Sequence, residues 1–345
     1  MERKCYFLSR DALAGFLSGL ARARDLYYPR EINGDWRFVR WNGDSDEIST
    51  VSPYRAVESL KNFLFPERVA VAGFPAKIDD FGAGRERIVL GLKACDLACL
   101  PVLDYIFREG ECSDPFYMEM TEKTILVSGD CTRFKDVCFC PIVGREPYPR
   151  EDFDLNLSEL ADGFLLETAS ERGERLIAEE AERLSPPSPE QLRERDTRRS
   201  EVLAGLRKQL SEQGQIGEAP SAEEVKAKSA DPLWREEAAS CVECGACNLV
   251  CPTCHCFILE EVAAAGGSVK YRNWDSCQYP GFPRVAGGAN PRPRRSQRLS
   301  NRFSKKFQFF PDVAGVIACT GCGRCFEACM GKIDIRSILK RIKST

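Results

Sequence analysis

Cysteine is the residue of this chain whose number and spacing could do chemistry. Among the 18 cysteines are two runs of one pattern, Cys241-x2-Cys244-x2-Cys247-x3-Cys251 and Cys319-x2-Cys322-x2-Cys325-x3-Cys329. This is the bacterial two-cluster ferredoxin spacing, in which the fourth cysteine of each run serves the other cluster. Closely spaced thiolates wrap one tight turn around three corners of a cubane. The fourth then starts a helix that points towards the neighbouring cluster. The expected ligands of one [4Fe–4S] cluster are therefore Cys241, Cys244, Cys247 and Cys329, and those of the other are Cys319, Cys322, Cys325 and Cys251. Gly245, Gly321 and Gly323 are expected to let the backbone approach the sulfides. Structural zinc prefers two separated C-x2-C pairs in a tetrahedron, which is not this pattern. Met330 stands where the second run would carry proline, a change that touches the turn and not the ligands.

The other cysteines are less regular. Cys95 lies at a strand-to-helix turn, and Cys131, Cys138 and Cys140 fall in DCTRFKDVCFC. These four are candidate ligands of a third [4Fe–4S] cluster, with a zinc site or free buried thiols as the alternatives. Cys254 and Cys256 in PTCHCF and Cys277 in WDSCQ could serve as alternative ligands. Cys5, Cys99 and Cys112 read as ordinary thiols. His255 is the single histidine. A Rieske centre on this chain alone would need two, and little imidazole is left for general acid–base work. His255 is expected to pack beside a cluster without ligating it.

The elements that position these residues suggest an α+β protein. An N-terminal α/β domain (1–183) is followed by a charged helical linker (184–230) and an α-helical ferredoxin-like dicluster domain (231–345). Ser9 and the stripe Leu13, Phe16, Leu17 and Leu20 predict a helix over 9–26. Ser52-Pro53 predicts a second helix reaching about Phe65. Residues 68–73, 87–92 and 124–128 read as buried strands, and 95–107 as a helix weakened by Pro101. The linker reads as a solvated helix behind a proline-rich break. Residues 281–302 read as a Gly/Pro/Arg-rich loop. Its Arg292, Arg294, Arg295, Arg298 and Arg302 are expected to pack near anionic clusters or meet an acidic partner.

The 345 residues carry a net charge of −3, so no global field favours nucleic acid or a membrane surface. The Arg stretch lacks the aromatic interleaving of a base-stacking site. No segment reaches the roughly 18 apolar residues of a membrane span, and no signal-peptide core is present. A cytoplasmic protein with reduced thiols is expected. Gly82-Ala83-Gly84 lacks the last glycine of a dinucleotide fingerprint, and no phosphate-binding P-loop or haem-attachment motif occurs. No FAD or NAD is therefore expected on this chain, and no catalytic residue is assigned. A self-contained flavin-binding iron–sulfur oxidoreductase and a redox-sensing iron–sulfur protein are the rival readings.

The segments 92–107, 130–140, 231–257, 273–303 and 319–335 resemble the β subunit of cytoplasmic NAD(P)-linked [NiFe] hydrogenases (sulfhydrogenases), and equally the A subunit of anaerobic sulfite reductase. The resemblance runs from about residue 60 onward and is weakest over 184–230. It implies an electron-transfer subunit of an anaerobic oxidoreductase complex. Such a subunit passes electrons between an FAD/NAD(P)-binding ferredoxin-reductase-like subunit and a catalytic subunit of hydrogenase, sulfite reductase or heterodisulfide-reductase type. It also favours a ligand role for Cys95, Cys131, Cys138 and Cys140, and it matches at Cys254, Cys256 and Cys277.

Overall fold

The computed structural model describes residues 3–43, 51–75, 84–264 and 266–344. Gly82 and Ala83 lie outside them. Strands β1 (Cys5–Ser9), β2 (Asp25–Ile32) and β3 (Asp35–Arg40) are followed by β4 (Arg68–Phe74), β5 (Arg87–Leu92) and β6 (Thr124–Gly129). Then come β7 (Leu155–Glu159), β8 (Gly163–Thr168), β9 (Leu184–Ser185), β10 (Phe257–Ala264) and β11 (Gly267–Trp274). All but β4, β10 and β11 form one sheet in the order β3-β2-β5-β6-β7-β8-β1-β9.

The centre of this sheet is parallel: β2 pairs with β5, β5 with β6 and β6 with β7 in the same direction. Parallel strands are covered on both faces, which is why β5 and β6 read as unbroken apolar runs. Alternate side chains serve opposite faces. Ile88, Leu90, Ile125 and Val127 pack with Leu13, Phe16, Leu17 and Leu20 of the helix Leu13–Ala21. Val89, Leu92 and Leu126 pack on the other side with Leu97, Leu103 and Phe107. Cys95 follows the carboxyl end of β5 and Cys131 that of β6, the edge at which open α/β sheets gather ligands.

Some predicted elements differ in extent. The helix expected over 9–26 is Leu13–Ala21, and Ser9 closes β1 without capping it. Residues 52–65 are helical only over Lys61–Leu64. The reason is tertiary: the carbonyls of Ala56, Val57 and Glu58 accept hydrogen bonds from the buried Arg324 guanidinium rather than from a helical ladder. Residues 95–107 form two helices, Ala94–Leu97 and Leu100–Phe107. Pro101 opens the second, where its missing N–H costs nothing. Strand β4 exists but is half-exposed, because it pairs with β11 on the surface and not with β5.

The second half is not wholly helical. It contains the β10–β11 hairpin, which β4 extends to a three-stranded sheet. The expected loop 281–302 ends in the helix Arg295–Ser304, whose Leu299 and Phe303 face inward one turn apart. The helix Pro189–Glu212 is capped by Ser188 and Gln191. Its last turns are not solvated: Leu206 and Leu210 are buried with Phe139, Ile142 and Trp234.

Candidate iron–sulfur site

All 18 cysteines are free thiols. In the first run, Gly245 adopts a left-handed conformation (φ 71°) and opens the short helical turn Ala246–Leu249. Cys241, Cys244, Cys247 and Cys329 line a common cavity of about 40 Å³, which Cys325 and Arg302 also reach. Backbone amides point at the sulfurs, Glu243 N at Cys241 Sγ (3.4 Å) and Ile333 N at Cys329 Sγ (3.3 Å). Burial pushes the Cys247 thiol up to about 12.

The second run lies deeper. Cys319 and Cys322 are buried, and Cys251 of the first run joins them, within electrostatic reach of Cys319 and Cys325. Gly321 and Gly323 are left-handed (φ 68° and 72°). What crowds them is protein rather than a sulfide-facing opening. A Cβ on Gly321 would strike the backbone of Phe139 and Cys140, and one on Gly323 would strike Val137. Gly321 O also accepts from Phe139 N at 2.8 Å. The second run is thus pressed against the loop that carries Cys131, Cys138 and Cys140.

Those three thiols and Cys95 come together. Cys131 is within electrostatic reach of Cys138, Cys140 of both Cys131 and Cys138, and Cys95 of Cys131. Cys322 of the second run is near Cys95, Cys138 and Cys140. Salt bridges brace the junction. Arg324 pairs with Asp96 at 2.7 Å, both fully buried, and Arg55 binds Cys322 O (2.6 Å) and Glu327. Lys93, wholly buried, donates to Asp130 O at 3.0 Å beside Cys131 and Cys95.

The buried cations were not legible as functional groups in the sequence. Arg302 and Lys306 are four residues apart and share a helix face. Both are buried, Lys306 to 4% exposure. Lys306 sits in a π-helical turn, Lys305–Phe309, a feature that recurs at functional sites. Its Nζ lies 3.3 Å from Cys251 Sγ and donates to Thr253 Oγ1 (2.6 Å) and Ala318 O (2.8 Å). Burial opposes its charge, but the Cys251 and Cys254 sulfurs outweigh that, and its pKa is raised. Arg302 faces Cys247, Cys325, Cys254 and Cys251. Two buried like charges at this spacing need anions between them.

Three buried polar atoms without a partner belong to residues beside the cysteine groups. Arg302 Nε, Arg324 Nη1 and Thr320 Oγ1 are buried with no hydrogen-bond partner. An anionic thiolate-ligated cluster would meet all three needs: charge for the cations, acceptors for the donors and metal for thiols that burial alone keeps protonated. Among the described residues no three His, Cys, Asp or Glu side chains converge as a ready set for a single metal ion.

The expected Arg loop serves this site from within. Arg295 Nη1 binds Cys241 O (2.6 Å), Arg302 Nη2 binds Cys247 O (3.3 Å), and Arg298 holds Gln278 O and Glu243. His255 packs edge-on against Phe107 and Phe310, and burial depresses its imidazole to about 4. Cys99 is buried, Cys5 half-buried and Cys112 exposed.

This arrangement defines an iron–sulfur protein with a dicluster domain: residues 240–333 match the family model described as a 4Fe-4S dicluster domain. Over 329 residues, 95% of each chain, the sequence is 26% identical to sulfhydrogenase 2 subunit beta of Pyrococcus furiosus. The chain is thus similar over most of its length to a sulfhydrogenase β subunit, the kind of protein its motifs resemble. Its second half carries the iron–sulfur dicluster domain, and the likeness to that β subunit runs along nearly the whole chain. Among the described residues no helix is long and apolar enough to cross a membrane.

Proposed function

We propose that Cys241, Cys244, Cys247 and Cys329 hold one [4Fe–4S] cluster and Cys319, Cys322, Cys325 and Cys251 a second. Cys95, Cys131, Cys138 and Cys140 hold a third. The chain relays electrons between an FAD/NAD(P)-binding partner subunit and a catalytic subunit of hydrogenase, sulfite reductase or heterodisulfide-reductase type.

The observation that carries this reading is the succession of thiol groups. Cys322 lies beside the first-half cysteines, and Cys325 lies beside Cys247. When bound, such clusters supply one-electron carriers whose potentials follow charge, sulfur hydrogen bonds and burial. The chain's own residues supply those terms. Arg302, Lys306 and Arg324 place positive charge at the junctions, Glu243 and Ile333 amides point at ligand sulfurs, and Phe139, Phe303 and Phe307 keep water out. The exposed Cys244 marks the end of the succession nearest the surface.

Anaerobically isolated protein should contain roughly 12 irons with as many acid-labile sulfides, against roughly 8 for two clusters alone. Cys244→Ser should lower the iron content and block electron flow from NAD(P)H to the terminal acceptor, with reduction of the partner's flavin intact. A colourless protein holding zinc would refute the reading.

A further inference from the structure

Six thiols lie outside the sets above; the fold brings two of them, Cys256 and Cys277, together, with Cys254 two residues before Cys256. Cys256 precedes β10 and Cys277 follows β11. The hairpin register pairs Phe257 with Trp274, and Asp275 N donates to Cys256 O at 2.9 Å, so the two strand feet meet. The Cys256 and Cys277 thiols lie against each other, and Cys254 lies against Cys251.

Two further features fit metal ligation better than idle thiols. The first is a pair of buried amides aimed at sulfur. Asn248 Nδ2 lies 3.0 Å from Cys277 Sγ and 3.9 Å from Cys256 Sγ, and Gln278 Nε2 lies 3.5 Å from Cys277 Sγ. Amide donors to a thiolate are the outer-shell support that metal-bound sulfur takes. The second is Lys61, which the first half of the chain contributes. It is 2% exposed, and its contacts are Asn248 O (3.3 Å), Leu249 O (2.9 Å) and the Trp274 ring (3.8 Å). Cys254, Cys251 and Cys256 are the thiols near it. The other thiol groups each have a buried cation, Lys306 and Arg302 at the runs and Lys93 and Arg324 in the first half. Lys61 completes that pattern here.

We infer that Cys254, Cys256 and Cys277 ligate a further iron–sulfur cluster through three thiolates, distinct from those of the two ferredoxin runs. It adjoins the first run, since Cys277 is near Cys247 and Cys254 touches Cys251, one thiol from each of the two proposed ligand sets. Its position at the foot of the β10–β11 hairpin gives the relay a branch. The inference rests on reading the chain as a cluster-bearing relay, and the experiment separates the two.

Cys256→Ser, Cys277→Ser and Cys244→Ser chains are isolated anaerobically and compared with the parent for iron and sulfide. The expected result is that Cys256→Ser and Cys277→Ser each lose roughly three to four irons. Unchanged iron in both, with a loss in Cys244→Ser, overturns this inference and leaves the two-run reading standing. Unchanged iron in all three removes that reading as well. Should a serine variant at 256 or 277 fail to fold, native mass spectrometry of the Cys131→Ser/Cys138→Ser chain decides. Three bound clusters support the site, and only two overturn it.

Discussion

Lys306 is the group whose removal should be read most directly in a potential. Its Nζ is 3.3 Å from Cys251 Sγ and is shielded from solvent by the surrounding chain. An electron added to a cluster spreads over it, so its working distance from Nζ is about twice that contact. At about 6.5 Å and an effective dielectric constant of about 20, one unit charge contributes about 2.5 kcal/mol. For a one-electron couple this corresponds to about 110 mV. Partial relaxation around a substituted side chain lowers the figure, so Lys306→Met should shift one cluster on the order of 50–100 mV to lower potential. Lys306→Arg, which keeps the charge, should shift it far less. The assay is an EPR-monitored redox titration on protein whose iron content matches the parent. A rise in potential, or no shift at full iron content, would refute the assignment of Lys306 as a charge acting on the cluster of Cys251.

Asp96→Ala strips the buried Arg324 of its carboxylate, and loss of one partner of a buried pair costs about 3–5 kcal/mol. Thermal unfolding should register it as a lower Tm, with Asp96→Asn intermediate. Gly321→Ala combines a left-handed backbone with a collision against Cys140, so it should reduce iron content as well as stability; iron-replete Gly321→Ala of parental Tm would contradict the close approach. Cys138→Ser should remove roughly four irons and spare the two clusters of the ferredoxin runs, visible as persistence of their EPR signals. Arg298→Met should free the first run by releasing Glu243 and Gln278 O, and faster iron loss to a chelator is the expected readout.

The ferredoxin runs were readable because ligand spacing is written directly in sequence separation. The sheet centre was readable for a similar reason: a strand buried on both faces, such as Arg87–Leu92, can hold little but apolar residues. Residues 52–60 were misread because their carbonyls serve Arg324, a partner far along the chain that no local propensity reveals. Strand β4 was misplaced for the same reason, since its partner is β11. The functional cations were hidden in a stretch that looked like a basic loop. Arg298, Arg302 and Lys306 have the period of a buried helix face, but charge at those positions ordinarily means solvent. The meeting of Cys95 with Cys131 follows from the adjacency of β5 and β6, which becomes visible only once strand order is known.

The pairing of β4 with β11 has a consequence for biosynthesis. Most of the chain separates these strands, so while the ribosome is still making the second half, the backbone edge of β4 has no strand to pair with. Nor can the proposed cluster of Cys241, Cys244 and Cys247 be closed early, because its fourth thiol, Cys329, follows them only after the whole hairpin and the second run. A chain released short of residue 267 would leave the β4 edge unpaired and open to self-association.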